Sequence, residues 1–149
     1  MKKLEWCCKQ KRGISLVEPN KNISDQYMKE ANETLDQMLR TKGRWKVIMA
    51  YYACYNAFYS ILIRAGIKSE IHDCTIALMK KMPEFKEDEK YISKLKSDRI
   101  DVQYYLKDIE LDKEENIKTF ILKCKSFLED VNTERLREII TEMIKGDKN

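Results

Sequence analysis

One segment of this chain is hydrophobic without interruption, whereas most others are hydrophobic on one helical face only. The uncharged run VIMAYYACYNAFYSILI occupies residues 47–63 and is apolar almost all the way round a helix, which is typical of a helix enclosed by others. It predicts a central helix from about Arg44 to Ala65 that stops at Gly66. Before it, apolar residues at helical spacing predict a one-sided helix that begins near Ser24, a good N-cap.

The rest of the chain continues the helical pattern, with no strand alternation and no internal repeat. Pro19 predicts a boundary before the first long helix. We therefore expect an all-α fold, with a leader at 1–20, a bundle at 21–145 and a frayed tail at 146–149. Two further helices are predicted at about 71–82 and at 87–106, the second with a possible interruption near Ser97-Asp98. Two more follow, one that begins after Asp112 as its N-cap and one that begins after Asn132 or Thr133 as its N-cap.

Composition fits one helical domain. The 149 residues include 36% charged residues but only 4 Gly and 2 Pro, which suits helices better than a turn-rich sheet protein. A net charge of +4 permits polyanion binding without demonstrating it.

The cysteines and the lone histidine bear on compartment and metal binding. The cysteine count is 5, an odd number, and no secretory signal precedes them, so we expect reduced thiols in a cytoplasmic protein. Cys7-Cys8 has no second closely spaced pair and His72 is the only histidine, so neither a metal nor any other cofactor is expected.

The apolar run is long enough to raise the question of a membrane span. It has 17 residues, the lower limit for a span of about 17–25. Its four tyrosines, Asn56 and Ser60 argue against this, because tyrosine prefers the membrane interface to the centre. We expect a buried helix and no membrane partner.

Tyrosines give this helix a polar side. Buried hydroxyl and amide groups need hydrogen-bond partners. A dimer interface, a ligand cleft or hydrogen bonding within the bundle would each supply them. The two neighbouring stripes are Tyr51, Tyr55 and Tyr59, and Tyr52, Asn56 and Ser60.

A short polar motif follows in the second half of the chain, Arg99-Ile-Asp-Val-Gln-Tyr-Tyr105. An arginine fork can hold a phosphate with two hydrogen bonds. Gln103 lies on the same helical face as Arg99, whereas Asp101 does not, so a partner for Asp101 would come from the other subunit. The other interpretation of Arg99 is an ordinary salt bridge with Asp101 or another carboxylate.

Several of these segments, in this order, resemble the HEPN superfamily (higher-eukaryote and prokaryote nucleotide-binding domains), and in particular its small stand-alone archaeal and bacterial members. The resemblance covers residues 16 to about 105. Its segments are Leu16-Val-Glu-Pro-Asn20, Ala50-Tyr-Tyr-Ala-Cys-Tyr-Asn-Ala-Phe58, Gly66-Ile-Lys-Ser-Glu-Ile-His72, Asp73-Cys-Thr-Ile-Ala-Leu78 and Arg99-Ile-Asp-Val-Gln-Tyr-Tyr105.

The resemblance implies an up-and-down bundle of four main helices plus short extra helices, assembled as a homodimer. It also implies a nucleotidyltransferase partner, as in toxin–antitoxin pairs. Active members cut RNA without metal, using an arginine and a histidine with four to six residues between them. This chain keeps Arg99 but has Tyr104 and Tyr105 where the histidine would fall. In one toxin subgroup the transferase attaches AMP to a nearby tyrosine, a role that carries over loosely to Tyr104 or Tyr105.

The main hypothesis is therefore a protein that binds RNA or nucleotide at a dimer cleft and acts with a nucleotidyltransferase. The alternatives are a metal-independent endoribonuclease toxin, with Arg99 and Tyr104 as catalytic candidates, and a non-catalytic dimeric interaction module. His72 is interpreted either as a capping or structural residue or as a catalytic one. The ligand-binding candidates are Arg99, Asp101, Gln103, Tyr105 and Asn56.

Overall fold

The computed structural model describes residues 3–111, 113–130 and 133–146 and is mostly helical, which confirms the predicted helical fold class in its coarse form. In chain order the elements are α1 (Lys3–Lys9), β1 (Ile14–Leu16), α2 (Lys21–Leu39), α3 (Arg44–Arg64), β2 (Ile67–Ser69), α4 (His72–Ala77), a 3-10 turn (Leu78–Lys81), α5 (Asp88–Tyr104), α6 (Glu114–Asp130) and α7 (Thr133–Gly146).

Helix α3 is the centre of the bundle. Fourteen of its 21 residues are buried, and it packs against α2, α5 and α6. It ends as predicted, because Gly66 adopts a positive φ of 75° that suits glycine. Arg137 of α7 donates from Nη1 to the carbonyls of Val17, Ala65 and Gly66 at 2.7, 3.1 and 2.8 Å, which ties α7 to this end of α3.

A two-stranded sheet joins the first residues of the chain to the bundle. Strand β1 pairs antiparallel with β2, with Ile14 opposite Ser69 and Leu16 opposite Ile67. Three-residue strands are too short to show alternation in a sequence. Because Leu4, Cys7 and Ile14 are buried in the main core, the described part of the predicted leader belongs to the folded unit.

Helix boundaries differ from the predictions at several places. Helix α2 starts earlier than expected, because Asn20 caps it by accepting a hydrogen bond from the Ile23 N–H at 2.9 Å. Ser24 is instead buried and donates to the Ser60 carbonyl at 2.7 Å. Helix α5 continues through Ser97-Asp98 without a break, and the segment predicted as one helix at 71–82 is α4 followed by a 3-10 turn. The predicted caps Asp112 and Asn132 and the tail at 147–149 lie outside the described residues.

The prediction that all five cysteines are reduced is wrong. Cys7 of α1 and Cys74 of α4 form a disulfide across a separation of 67 residues. The pairing depends on the docking of α1 over α4, which cysteine spacing does not reveal. Cys54 and Cys124 are buried thiols, and burial raises the pKa of each.

None of the helices in the described ranges combines the length and the apolar character that a membrane crossing requires.

Removing the disulfide is expected to destabilise the fold without changing it. The Cys7→Ser/Cys74→Ser variant should lose about 2–4 kcal/mol of unfolding free energy in urea, because the cross-link constrains the unfolded chain. Thiol titration of the denatured wild type should count three thiols, Cys8, Cys54 and Cys124, before reduction. A reductant should weaken the wild type and leave the double variant unchanged. Equal urea midpoints for both proteins in non-reducing buffer would contradict the prediction.

Candidate functional site

Arg99 lies on the inner face of α5 and is only 7% exposed. Its guanidinium carbon is 5.1 Å from the ring centroid of Tyr51 and 5.4 Å from that of Tyr52, both on α3. These distances place the cation against the faces of two aromatic rings, an arrangement that stabilises a desolvated arginine. The side chain therefore points into the bundle and not into bulk solvent.

The Arg99 guanidinium has a hydrogen-bond donor without an acceptor. Nη1 donates to the Tyr52 hydroxyl at 3.4 Å and to Gln103 Oε1 at 3.2 Å, whereas buried Nε has no hydrogen-bond partner. Among the described residues no carboxylate oxygen lies within 4.0 Å of it; Asp101 pairs with Lys107 at 3.8 Å instead. The alternative interpretation of Arg99, a salt bridge with Asp101 or another carboxylate, is therefore not observed among the described residues. A buried cation without a counter-ion is costly, so this group is suited to receive an anion.

The structure brings His72 into the same cluster, which the sequence did not reveal. A hydrogen bond of 2.7 Å joins its Nδ1 to the Tyr51 hydroxyl, and its ring stacks on Tyr55 with centroids 4.0 Å apart. Tyr51 thus contacts both His72 and Arg99. His72 is the first residue of α4, but the helix has no side-chain cap, so its role is not capping.

The surroundings of His72 and Tyr51 determine their protonation states. Burial, then the charges of Arg99 and Lys96, lower the pKa of His72, against an opposing effect of Asp73. Burial raises the pKa of Tyr51 above its ordinary value. At neutral pH the cluster therefore holds a neutral imidazole and a protonated phenol, and the imidazole can accept a proton.

The remaining tyrosines of the first stripe find partners within the bundle. The Tyr55 hydroxyl bonds to Thr75 Oγ1 at 3.1 Å, and the Tyr59 hydroxyl accepts the Ser69 N–H at 3.2 Å. Burial raises the pKa of Tyr55 to about 12. Of the three alternatives for this stripe, internal hydrogen bonding is confirmed for Tyr51, Tyr55 and Tyr59.

A cavity of about 370 Å³ opens beside the cluster. Half-buried Asn56 lines it, and other lining residues are Tyr52, His72, Lys68 and Glu70. Tyr52 lies between this cavity and Arg99, because it lines the cavity and its hydroxyl accepts a hydrogen bond from the guanidinium. Asn56 is therefore near the site but not bonded to Arg99.

Tyr104 and Tyr105 do not pack in the core. They are 65% and 69% exposed, at the point where α5 ends. Of the predicted site residues, the structure thus joins Arg99 to Gln103, places Asn56 in the adjoining cavity, and leaves these two phenols on the surface. Their side chains are accessible to another macromolecule.

In the described ranges, no three His, Cys, Asp or Glu residues form a group that could hold a metal ion. The chemistry that the cluster offers is anion binding by a guanidinium and proton exchange at an imidazole.

Comparisons of the chain with family models, with curated proteins and with solved structures found no match.

The coupling between Arg99 and His72 can be measured directly. Because the chain has one histidine, its imidazole NMR signals are unambiguous. In Arg99→Gln the pKa of His72 should rise toward 6.5, since the guanidinium charge that lowers it is gone. Lys96→Gln should raise it less, because Lys96 has the smaller effect. An unchanged titration in Arg99→Gln would contradict the described cluster.

The lowered pKa of His72 also makes the stability of the fold depend on pH. The unfolded chain binds a proton at a higher pH than the native protein, so unfolding free energy should fall as pH drops below about 6.5. Replacing His72 by asparagine should remove that part of the slope.

Proposed function

We propose that this protein binds the phosphate groups of RNA or of a nucleotide at Arg99, as a HEPN-like homodimer that acts with a nucleotidyltransferase partner in a toxin–antitoxin-like system. The observation that supports it is the buried guanidinium with an unpartnered Nε and no carboxylate within 4.0 Å in the described ranges. A phosphate oxygen supplies both the charge and the hydrogen-bond acceptor that this group lacks.

The surroundings of Arg99 favour a phosphate over a simple protein carboxylate. Gln103 and the Tyr52 hydroxyl hold one side of the guanidinium fork, which leaves its donors oriented and reduces the entropy lost on binding. The rings of Tyr51 and Tyr52 lie 5.1 and 5.4 Å from the guanidinium carbon, and such an apolar environment strengthens an electrostatic interaction. A neutral histidine one tyrosine away adds a donor or acceptor for the same ligand.

The partner part of the proposal rests on the exposed phenols. Tyr104 and Tyr105 lie at the end of α5, directly after Gln103, which contacts Arg99, and are accessible to a transferase active site. Asp101, paired with Lys107 at the same helix end, adds charges to this surface.

Isothermal titration with AMP, ATP and a ten-nucleotide RNA tests the proposed site. Arg99→Ala should bind each probe about ten- to a hundredfold more weakly, because charge-assisted hydrogen bonds to a buried group are lost. Lys90→Ala is the matched control, since it removes one exposed positive charge from the same helix. Circular dichroism checks that each variant is folded. Equal affinities for wild type and Arg99→Ala would remove Arg99 from the site.

A second candidate function, metal-independent RNA cleavage, is favoured by the position of His72. The sequence lacks a histidine at the spacing that active HEPN proteins use, but the fold brings one to Tyr51, which also contacts Arg99. In this reaction the 2′-oxygen would bond to the adjacent phosphorus while His72 takes its proton, and the bond from phosphorus to the 5′-oxygen would break. The protonated imidazole would give that proton to the departing 5′-oxygen, and Arg99 would stabilise the charge that develops on the phosphate.

Incubation of labelled RNA with the protein in excess chelator distinguishes this candidate. His72→Asn and Arg99→Ala should each abolish cleavage, whereas Tyr104→Phe should keep it, because in this candidate the imidazole of His72, and not the exposed phenol, transfers the proton. Cleavage that survives in His72→Asn but stops in Tyr104→Phe would transfer the proton-transfer role to Tyr104.

A further inference from the structure

The cavity of about 370 Å³ beside the Arg99 cluster is lined mostly by aromatic side chains. Besides His72, four tyrosines line it, namely Tyr27 of α2 and Tyr52, Tyr55 and Tyr59 of α3. A volume of this size is within the range that is typical of small-molecule sites. Aromatic walls favour a flat, unsaturated ligand whose ring can pack against them.

One side of α3 contributes a polar group between two of these aromatic side chains. Tyr52, Asn56 and Tyr59 follow the spacing i, i+4, i+7 and so lie along a single stripe of the helix. The two tyrosines are about 10 Å apart along the helix axis, and Asn56 lies between them. Tyr27 extends the aromatic surface at the Tyr59 end, where the two ring centroids are 5.0 Å apart. A flat ring placed over Asn56 would therefore have an aromatic side chain on either side of it.

The amide of Asn56 is available to a ligand. The hydroxyls of Tyr55 and Tyr59 are used within the bundle, by Thr75 and by the Ser69 N–H. The half-buried amide of Asn56, by contrast, makes no hydrogen bond with any described residue. An amide presents a C=O acceptor beside an N–H donor. This pair matches adenine, which presents its amino group beside a ring nitrogen that accepts.

The charges at the cavity suit an uncharged base better than a phosphate. Lys68 Nζ is 3.7 Å from a carboxylate oxygen of Glu70, and the lowered pKa of His72 leaves its imidazole neutral at pH 7. The unpaired cation closest to this cavity in the described ranges is Arg99, on the other side of Tyr52, whose hydroxyl accepts from it at 3.4 Å. Base and phosphate therefore have separate places.

A second cavity gives the rest of a nucleoside room. It has a volume of about 460 Å³ and shares Tyr52 and Asn56 with the first. Glu30 and Glu33 of α2 also line it, so its charge is unfavourable for a phosphate and compatible with the hydroxyls of a ribose, which donate to carboxylates.

From these contacts we propose that the aromatic cavity binds the adenine base of the nucleotide whose phosphate lies at Arg99, with Asn56 bonding to the base. This inference rests on the proposed function, and it narrows the ligand from any RNA or nucleotide to one that carries adenine. The base site does not itself include Arg99, so adenosine, which has no phosphate, binds there too.

The test is isothermal titration with adenosine, with guanosine and with purine riboside, which lacks the amino group of adenosine. Asn56→Leu keeps a side chain of similar size but removes the amide, so it should bind adenosine about five- to a hundredfold more weakly. Asn32→Leu is the matched control, because it removes a half-buried asparagine of α2 that does not line the cavity.

The purine riboside comparison needs no variant. Purine riboside should bind the wild type about as weakly as adenosine binds Asn56→Leu, and it should lose little further affinity in that variant, because the same hydrogen bonds are already absent. Equal affinities of the wild type for adenosine and purine riboside would overturn the base site. Tighter binding of guanosine than of adenosine would overturn the assignment to adenine.

The single histidine reports where adenosine binds. His72 lines the cavity, so its imidazole NMR signals should shift as adenosine is added to the wild type, through the ring current of the base. Signals that stay unshifted at saturating adenosine would place the nucleoside elsewhere and overturn the proposal.

The outcomes separate this inference from the function on which it rests. Arg99→Ala should bind adenosine as the wild type does but AMP more weakly. AMP binding that is lost in Arg99→Ala, together with no binding of adenosine, would overturn the base site and leave the phosphate site standing. Equal AMP affinity in Arg99→Ala and the wild type, with adenosine binding that depends on Asn56, would overturn the phosphate site alone. Failure of the wild type to bind either ligand would overturn both.

Discussion

The hydrogen-bonding needs of the tyrosines on α3 constrain how the rest of the bundle is arranged. The helix is buried over most of its length, yet it carries phenol hydroxyls that cannot be left without partners at low cost. Helix α4 and strand β2 meet this requirement with His72, Thr75 and Ser69. The short elements after α3 are therefore held close to it by polar bonds as well as by apolar packing.

The same constraint produces the candidate site. His72 bonds to the hydroxyl of Tyr51 and does not cover all of its ring. The guanidinium of Arg99, from α5, packs against the rings of Tyr51 and Tyr52. Aromatic faces compensate part of the cost of burying a guanidinium, but they do not replace a counter-ion or satisfy Nε. Arg99 is thus the place where the fold tolerates an unfavourable arrangement, a common property of binding sites. An anion at this point would relieve it.

The disulfide supports the site from the opposite side of α4. Cys74 lies two residues after His72, and its bond to Cys7 attaches the seven-residue helix α1 to α4. A helix as short as α4 has little stability of its own, so its position depends on such tertiary contacts. The covalent link and the Tyr51–His72 hydrogen bond together determine where the imidazole lies.

Some features of this protein follow from its sequence alone. The uncharged run and its glycine stop determine a buried central helix, predicted from about Arg44 to Ala65 and observed as Arg44–Arg64, because such a surface is stable only when other helices cover it. Helical spacing likewise determines that Gln103 lies beside Arg99. Only the tertiary structure decided that Cys7 pairs with Cys74, that Asp101 bonds to Lys107, and that His72 meets Tyr51. These contacts join residues on different elements or beyond a helix end, and local periodicity carries no information about which distant side chains a fold brings together.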